Sequence, residues 1–353
     1  MNKFLSFIYI YIYIVPQGTA CAAGTQNRIH IYRLIALFIV CYPTIIGDYP
    51  VIGILDSPIT RFLKSSGIDK KDTMIPSSYV KFIEYTGAHV LRIPYQANEA
   101  RLDYFLKNIN GLLFTGGSQL VRQEKTKMMS EYGRKVKYLL KKAIEINENG
   151  NSFPVYGICN GFSQIVCSLS TNDTNICDVL TYKHHKAERK KIQFTHPLIQ
   201  PFSSMNKQIT DRLQKENQLL FYHSLYLEPK FFQQNRLLNS QFEISSQSSN
   251  YQDIQFISSF HHKNYPIFAD VFHPEKAAFE WKPNYISHKK ESIFFSFYIA
   301  QYFIEQASKN SQTTSEELIQ DFLEFKEDAT LLETPTLSYQ SIYLFKYNST
   351  YLQ

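Results

Sequence analysis

The chain has 353 residues, enough for one large domain or two small ones. A hydrophobic fraction of 44% and a charged fraction of 19% describe a globular protein with a sizeable core and exclude a disordered one. The net charge of +6 is modest and spread out, and the densest basic run, Tyr182 to Ile192, is most simply a solvated loop. No recognition motif accompanies that run, so no nucleic-acid partner is expected.

Residues 1–47 read as a leader, outside the folded domain. One apolar run, Phe4 to Val15, lies behind Lys3 and before Ala20-Cys21-Ala22-Ala23. A second, Leu34 to Ile46, lies behind Arg28, His30 and Arg33. Each is short for a membrane span and has a basic flank, the pattern of a secretory signal. Either the first run is the signal, or the second is and the true start lies downstream; a membrane anchor is the third reading. The glycosylation acceptors Asn172 and Asn348 fit secretion or delivery to a lysosome or vacuole, with no stable membrane span in the mature chain.

The folded body starts at Tyr49 to Leu55, a continuous apolar run that reads as a strand buried on both faces of a parallel sheet. Pro76 to Gly87 is helical, Val90 to Pro94 a strand, Glu99 to Asn108 a helix, and Ile109 to Phe114 a strand running into Thr115-Gly-Gly-Ser118. An amphipathic helix covers about Glu131 to Asn147. The strand Pro154 to Ile158 follows, then a sharp turn, then a helix from about Asn160 to Leu169. This alternation predicts an α/β fold with a doubly wound, mostly parallel sheet flanked by helices.

Beyond Cys167 the pattern weakens into β segments and loops, Asp178 to Tyr182 and Ile192 to Thr195 among them. Leu219 to Leu225 reads as a strand carrying His223, Ile254 to Phe260 as a half-buried strand, and Asn264 to Phe272 as a strand leading into His273-Pro-Glu-Lys276. A helix from about Glu291 to Asn310 closes the domain. Residues 48–310 are thus the expected folded domain. Residues 311–353 are a C-terminal extension, opening like a short capped helix and either packed on the body or loose.

Gly157-Ile-Cys-Asn-Gly161 is the thiol counterpart of the G-x-S-x-G nucleophile elbow. The turn puts the sulfur of Cys159 at a helix N-terminus, which favours the thiolate, the useful nucleophile. In an open α/β sheet the active edge lies beyond the carboxyl ends of the strands, where Cys159 and the Gly116-Gly117 loop both fall. Backbone N–H groups of Gly116, Gly117 and Asn160 could form an oxyanion hole. A cysteine nucleophile needs a base, and the base an orienting group. His273 follows an apolar strand, and Glu275, two residues on, can reach its imidazole. His184, His185, His261 and His262 sit in charged or polar loops and have no such setting. Of the five cysteines, Cys21 and Cys41 lie in the leader; Cys167 and Cys177 could pair, leaving Cys159 free, which would suit an oxidising compartment. There is no CxxC and no zinc-ligand spacing, so neither metal nor other cofactor is expected.

The chain resembles the class I glutamine-amidotransferase fold and, within it, the γ-glutamyl hydrolase branch. Gly157-Ile-Cys-Asn-Gly161 and His273-Pro-Glu275 carry the resemblance, which runs from Pro50 to Asn310 and is most specific in His273-Pro-Glu-Lys-Ala-Ala-Phe-Glu-Trp281. It implies Cys159 as nucleophile, His273 as base and general acid, Glu275 as its orienter, and His223 and Tyr79 near the substrate. It also implies a small-molecule substrate, folylpoly-γ-glutamate, with a homodimer as candidate assembly. The pattern breaks at Asn160, commonly leucine; at Ser163, commonly acidic; and at Ala269-Asp-Val-Phe272, which puts an acid on a buried strand. A glutaminase domain serving a synthetase and a silent binding protein on the same fold are the alternatives.

Overall fold

The computed structural model describes residues 49–59, 68–171, 175–182, 187–250, 253–315, 318, 330–333 and 339–347. The leader, Asn172, Asn348, His184 and His185 of the basic run, and most of the short helix expected after Ser311 lie outside the described residues.

The central sheet has eight strands: β1 (Val51–Leu55), β2 (His89–Ile93), β3 (Gly111–Phe114), β4 (Val155–Ile158), β5 (Gln193–Phe194), β6 (Phe242–Ser249), β7 (Gln255–His262) and β8 (Ile267–Asp270). Their order is β2-β1-β3-β4-β8-β7-β6-β5. The first five are parallel, and β7, β6 and β5 add an antiparallel edge. Every residue of β1, β3, β4 and β8 is buried, which is why these runs are apolar without alternation, Asp270 at the end of β8 excepted.

The helices are α1 (Ser77–Glu84), α2 (Glu99–Leu106), α3 (Glu131–Glu148), α4 (Asn160–Leu169), α5 (Lys207–Lys215), α6 (Pro229–Gln234), α7 (Arg236–Gln241), α8 (Lys276–Phe279) and α9 (Lys290–Ala307). Local chemistry sets their starts. Asn98 accepts from Arg101 N at 2.8 Å to open α2, and Ser130 accepts from Gly133 N at 2.9 Å to open α3. Helix α3 packs on α4, and α9 on α1 and α5. No helix of the described residues is long and apolar enough to cross a membrane.

Three departures from the sequence reading have physical causes. The run read as one strand from Leu219 to Leu225 is two short strands, Leu219–Phe221 and Leu225–Tyr226, with the polar His223 and Ser224 between them; the first pairs antiparallel with Glu188–Lys190 and the second with Thr181–Tyr182. The strand β6 was not expected because its buried side chains include serines. Ser246 Oγ lies 2.7 Å from Ser259 Oγ, and Ser245 Oγ donates to Gln200 O at 3.1 Å, so hydrogen bonds replace apolar packing there. His261 and His262 lie at the end of β7 and not in a loop; His262 Nδ1 accepts the N–H groups of Asn264 and Tyr265 at 3.1 and 3.0 Å.

The described residues of the C-terminal extension include strands paired with the body. Ser341–Phe345 pairs antiparallel with Thr73–Pro76, in a four-stranded sheet completed by Thr330–Glu333 and Ser57–Pro58. Cys167 and Cys177 are joined by a disulfide, and Cys159 is the free cysteine of the described residues.

Candidate active site

Strand β4 lies between β3 and β8. Cys159 follows β4, the Thr115-Gly-Gly-Ser118 loop follows β3, and His273 follows β8 by three residues. Parallel neighbours end at the same edge, so three segments remote in sequence converge there.

Cys159 has φ 54° and ψ −101°, an uncommon conformation for a residue with a side chain. It is held by a hydrogen bond from its N–H to Asp270 O at 2.8 Å, and helix α4 begins at the next residue. Gly157 and Gly161 permit this close turn. A Cβ on Gly157 would fall 2.6 Å from Ile165 Cδ1 and 2.9 Å from the Gly161 carbonyl. A Cβ on Gly161 would overlap the Phe114 carbonyl oxygen, which is backbone and cannot swing away. Cys159 is only 5% exposed, and its sulfur hydrogen-bonds Tyr222 O at 3.4 Å.

His273 and Glu275 are both buried, and His273 Nδ1 lies 2.8 Å from Glu275 Oε1. A carboxylate only accepts, so Nδ1 carries the hydrogen and Nε2 is left for proton transfer. Burial pulls the imidazolium down. The charges of Cys159 and Glu275 reverse that, and His273 titrates up at about 9.

Gly116 fills the space between the groups that matter. A Cβ there would lie 2.5 Å from Tyr79 Oη, 3.0 Å from His273 Cε1 and 3.1 Å from Cys159 Cβ. Its N–H donates to Tyr79 Oη at 2.8 Å, so this amide is already engaged. Gly117 has φ +143°, open to glycine and strained for other residues. Asn160 does more than offer its backbone: Nδ2 donates to Gln119 O at 2.8 Å, and Oδ1 accepts from Gln164 Nε2 at 3.0 Å. It thereby ties the glycine loop to α4.

His223 lies between the short strands Leu219–Phe221 and Leu225–Tyr226, beside Tyr222 whose carbonyl meets the Cys159 sulfur. Its Nδ1 hydrogen-bonds Leu225 O at 2.9 Å, and its ring packs edge-on against Tyr226 at 4.5 Å. Ser163 is buried in α4.

Residues outside the sequence-based site also gather here. Lys276, wholly buried, follows Glu275, and burial lowers its pKa against the opposing charges of Glu275 and Glu280. Its Nζ lies 3.8 Å from the ring centroid of Tyr339. Lys276 and Glu280 stand in the segment from His273 to Trp281, so a signal for them existed. Tyr339 stands in a polar, aromatic stretch with no pattern to single it out. Among the described residues no cluster of three or more His, Cys, Asp or Glu could hold a metal ion.

Residues 50–275 match the family model of peptidase C26. The chain is 34% identical over 247 residues to a γ-glutamyl hydrolase of Rattus norvegicus, covering 69% of this chain and 74% of that protein. It is 30% identical over 299 residues to γ-glutamyl hydrolase 1 of Arabidopsis thaliana, covering 84% and 82%. It is 27% identical over 305 residues to a γ-glutamyl hydrolase of Homo sapiens, covering 84% and 89%. Among solved structures, a putative GMP synthase component from Thermoplasma acidophilum aligns with TM-score 0.42 at 16% identity, covering 72% of this chain and 94% of that one.

Proposed function

The chain belongs to the peptidase C26 family and is a hydrolase of γ-glutamyl bonds; from that premise we propose that Cys159, His273 and Glu275 carry the reaction and that folylpoly-γ-glutamates are its substrates. The observation that carries the site assignment is the convergence of the Cys159 elbow with the His273–Glu275 pair at the ends of adjacent parallel strands.

The Cys159 thiolate attacks the γ-carbonyl carbon, forming a C–S bond and placing negative charge on the carbonyl oxygen. N–H groups of Gly117 and Asn160 are the candidate donors to that oxygen; Gly116 donates to Tyr79 instead. The C–N bond breaks, and protonated His273 gives its Nε2 proton to the departing amine. Water, deprotonated by the now neutral ring, attacks the thioester and releases the acid and the thiolate. Glu275 holds the ring and offsets its positive charge throughout. Tyr79 and His223 border the nucleophile and are proposed to contact substrate.

The leader is proposed to be a secretory signal, with residues 48–310 the catalytic domain and 311–353 an extension of it. The Cys167–Cys177 disulfide suits an oxidising compartment, as do the acceptors Asn172 and Asn348. Replacing Cys159 by alanine should abolish cleavage of a methotrexate polyglutamate while circular dichroism stays unchanged. Unimpaired turnover would sink the assignment, and cleavage of glutamine alone by the wild type would replace the substrate.

A further inference from the structure

The C-terminal segment lies outside the residues that match the family model, which end at 275. Three consecutive residues of it nevertheless bond the segments that build the site. Tyr339 is buried, shares a hydrogen bond with the Tyr79 phenol, and has its ring centroid 6.2 Å from that of Tyr79. Gln340 donates its N–H to Glu280 Oε2 at 2.6 Å, and its Oε1 accepts from Trp281 N at 2.5 Å. Ser341 Oγ lies 2.6 Å from Ser77 Oγ, at the start of the helix that carries Tyr79. The pairing of Ile342 with Pro76 extends this contact into a sheet.

We infer that Tyr339 is a positioning residue of this active site, its hydroxyl holding Tyr79 against Gly116 and its ring covering Lys276 beside Glu275. This rests on the assignment of Cys159, His273 and Glu275 made above. The hydroxyl acts through one chain of contacts: Tyr339 to Tyr79, Tyr79 to the Gly116 N–H, and Gly116 packed between His273 and Cys159. The ring acts through another. It caps a buried ammonium as a cation–π partner, in a place where water would screen the charges around His273.

The two contacts separate by substitution in the full chain. Tyr339→Phe keeps the ring over Lys276 and removes only the hydroxyl, so the chain should stay folded, with a melting temperature lowered by no more than about 4 °C. On a methotrexate polyglutamate its kcat should fall by about three- to tenfold, the equivalent of one hydrogen bond, with KM changed by less than about twofold. Tyr339→Ala should lose more. It should also slow alkylation of Cys159 by iodoacetamide at pH 7 by about threefold or more, because screening of Glu275 and His273 weakens the thiolate. Wild-type kcat in Tyr339→Phe overturns the role of the hydroxyl, and wild-type alkylation in a folded Tyr339→Ala overturns that of the ring. Alkylation needs no substrate. If wild type left the polyglutamate intact, the substrate reading would fail while the alkylation series still decided this inference.

Discussion

Asp270 is the departure from the family pattern that the structure turns into a measurable quantity. It sits on β8, wholly buried, and its carbonyl holds the N–H of Cys159 at 2.8 Å. Its carboxyl accepts from Tyr156 Oη at 2.6 Å. Burial pushes its pKa up from 3.8 to about 7, against the hydrogen bonds from Tyr156 and Ser259. A raised acid means that the native state keeps a proton the unfolded chain releases. Stability therefore falls as pH rises from about 3.8 through about 7, and levels off above that. A rise of that size costs about 4 kcal/mol at pH 9, of which about 1.5 kcal/mol is already present at pH 5. Asp270→Asn keeps the shape and the acceptor for Tyr156 but cannot ionise. Relative to wild type it should thus gain roughly 2.5 to 3 kcal/mol between pH 5 and pH 9. Urea unfolding at both values, the variant against wild type at the same pH, cancels the other titrating groups. An advantage for the asparagine variant that is the same at both pH values, or absent at pH 9, would refute the reasoning.

Three further outcomes test the base, its orienter and the elbow. Because His273 is raised to about 9, the protonated ring is present below that value and lost above it, so kcat/KM should fall as pH rises through about 9. Glu275→Gln removes one of the charges that raise it, and the same limb should move toward the ordinary histidine range; a limb that stays in place would exclude Glu275 as the orienter. Gly161→Ala drives a methyl into the Phe114 carbonyl oxygen, so it should cost about 1–3 kcal/mol in urea unfolding and on the order of 10²-fold in kcat as the elbow shifts. Wild-type turnover in that variant would show that the turn tolerates a side chain.

The parallel half of the sheet was legible because burial on both faces leaves one signature, an uninterrupted apolar run, and Val51–Leu55 and Val155–Ile158 carry it. The elbow was legible for a steric reason: Gly157 and Gly161 stand where no Cβ fits. His273 and Glu275 followed from their spacing and from the strand before them. Strand β6 was hidden because Ser245 and Ser246 satisfy their burial by hydrogen bonds, which hydrophobic periodicity does not register. Leu219–Phe221 was legible as a strand because all three residues are buried, but the break before Leu225–Tyr226 was not. Tyr339 was invisible because its role is set by a pairing of Ser341–Phe345 with residues more than 260 positions earlier, Thr73–Pro76.

That long-range pairing bears on how the site tolerates its own charges. His273, Glu275, Lys276 and Glu280 are all buried, and an isolated charge in such a place is costly. They alternate in sign along the segment, so each carboxylate has a cation at hand: Glu275 has His273 at 2.8 Å, and the field of Lys276 acts on Glu280. Partners of opposite sign offset part of the desolvation, but only while water is kept out and the geometry is held. The Gln340 N–H supplies Glu280 with a hydrogen bond, and the Tyr339 ring closes over Lys276. Disturbing the C-terminal strand should therefore alter the charge balance around His273, and the distance in sequence between Tyr339 and Cys159 is no measure of their independence.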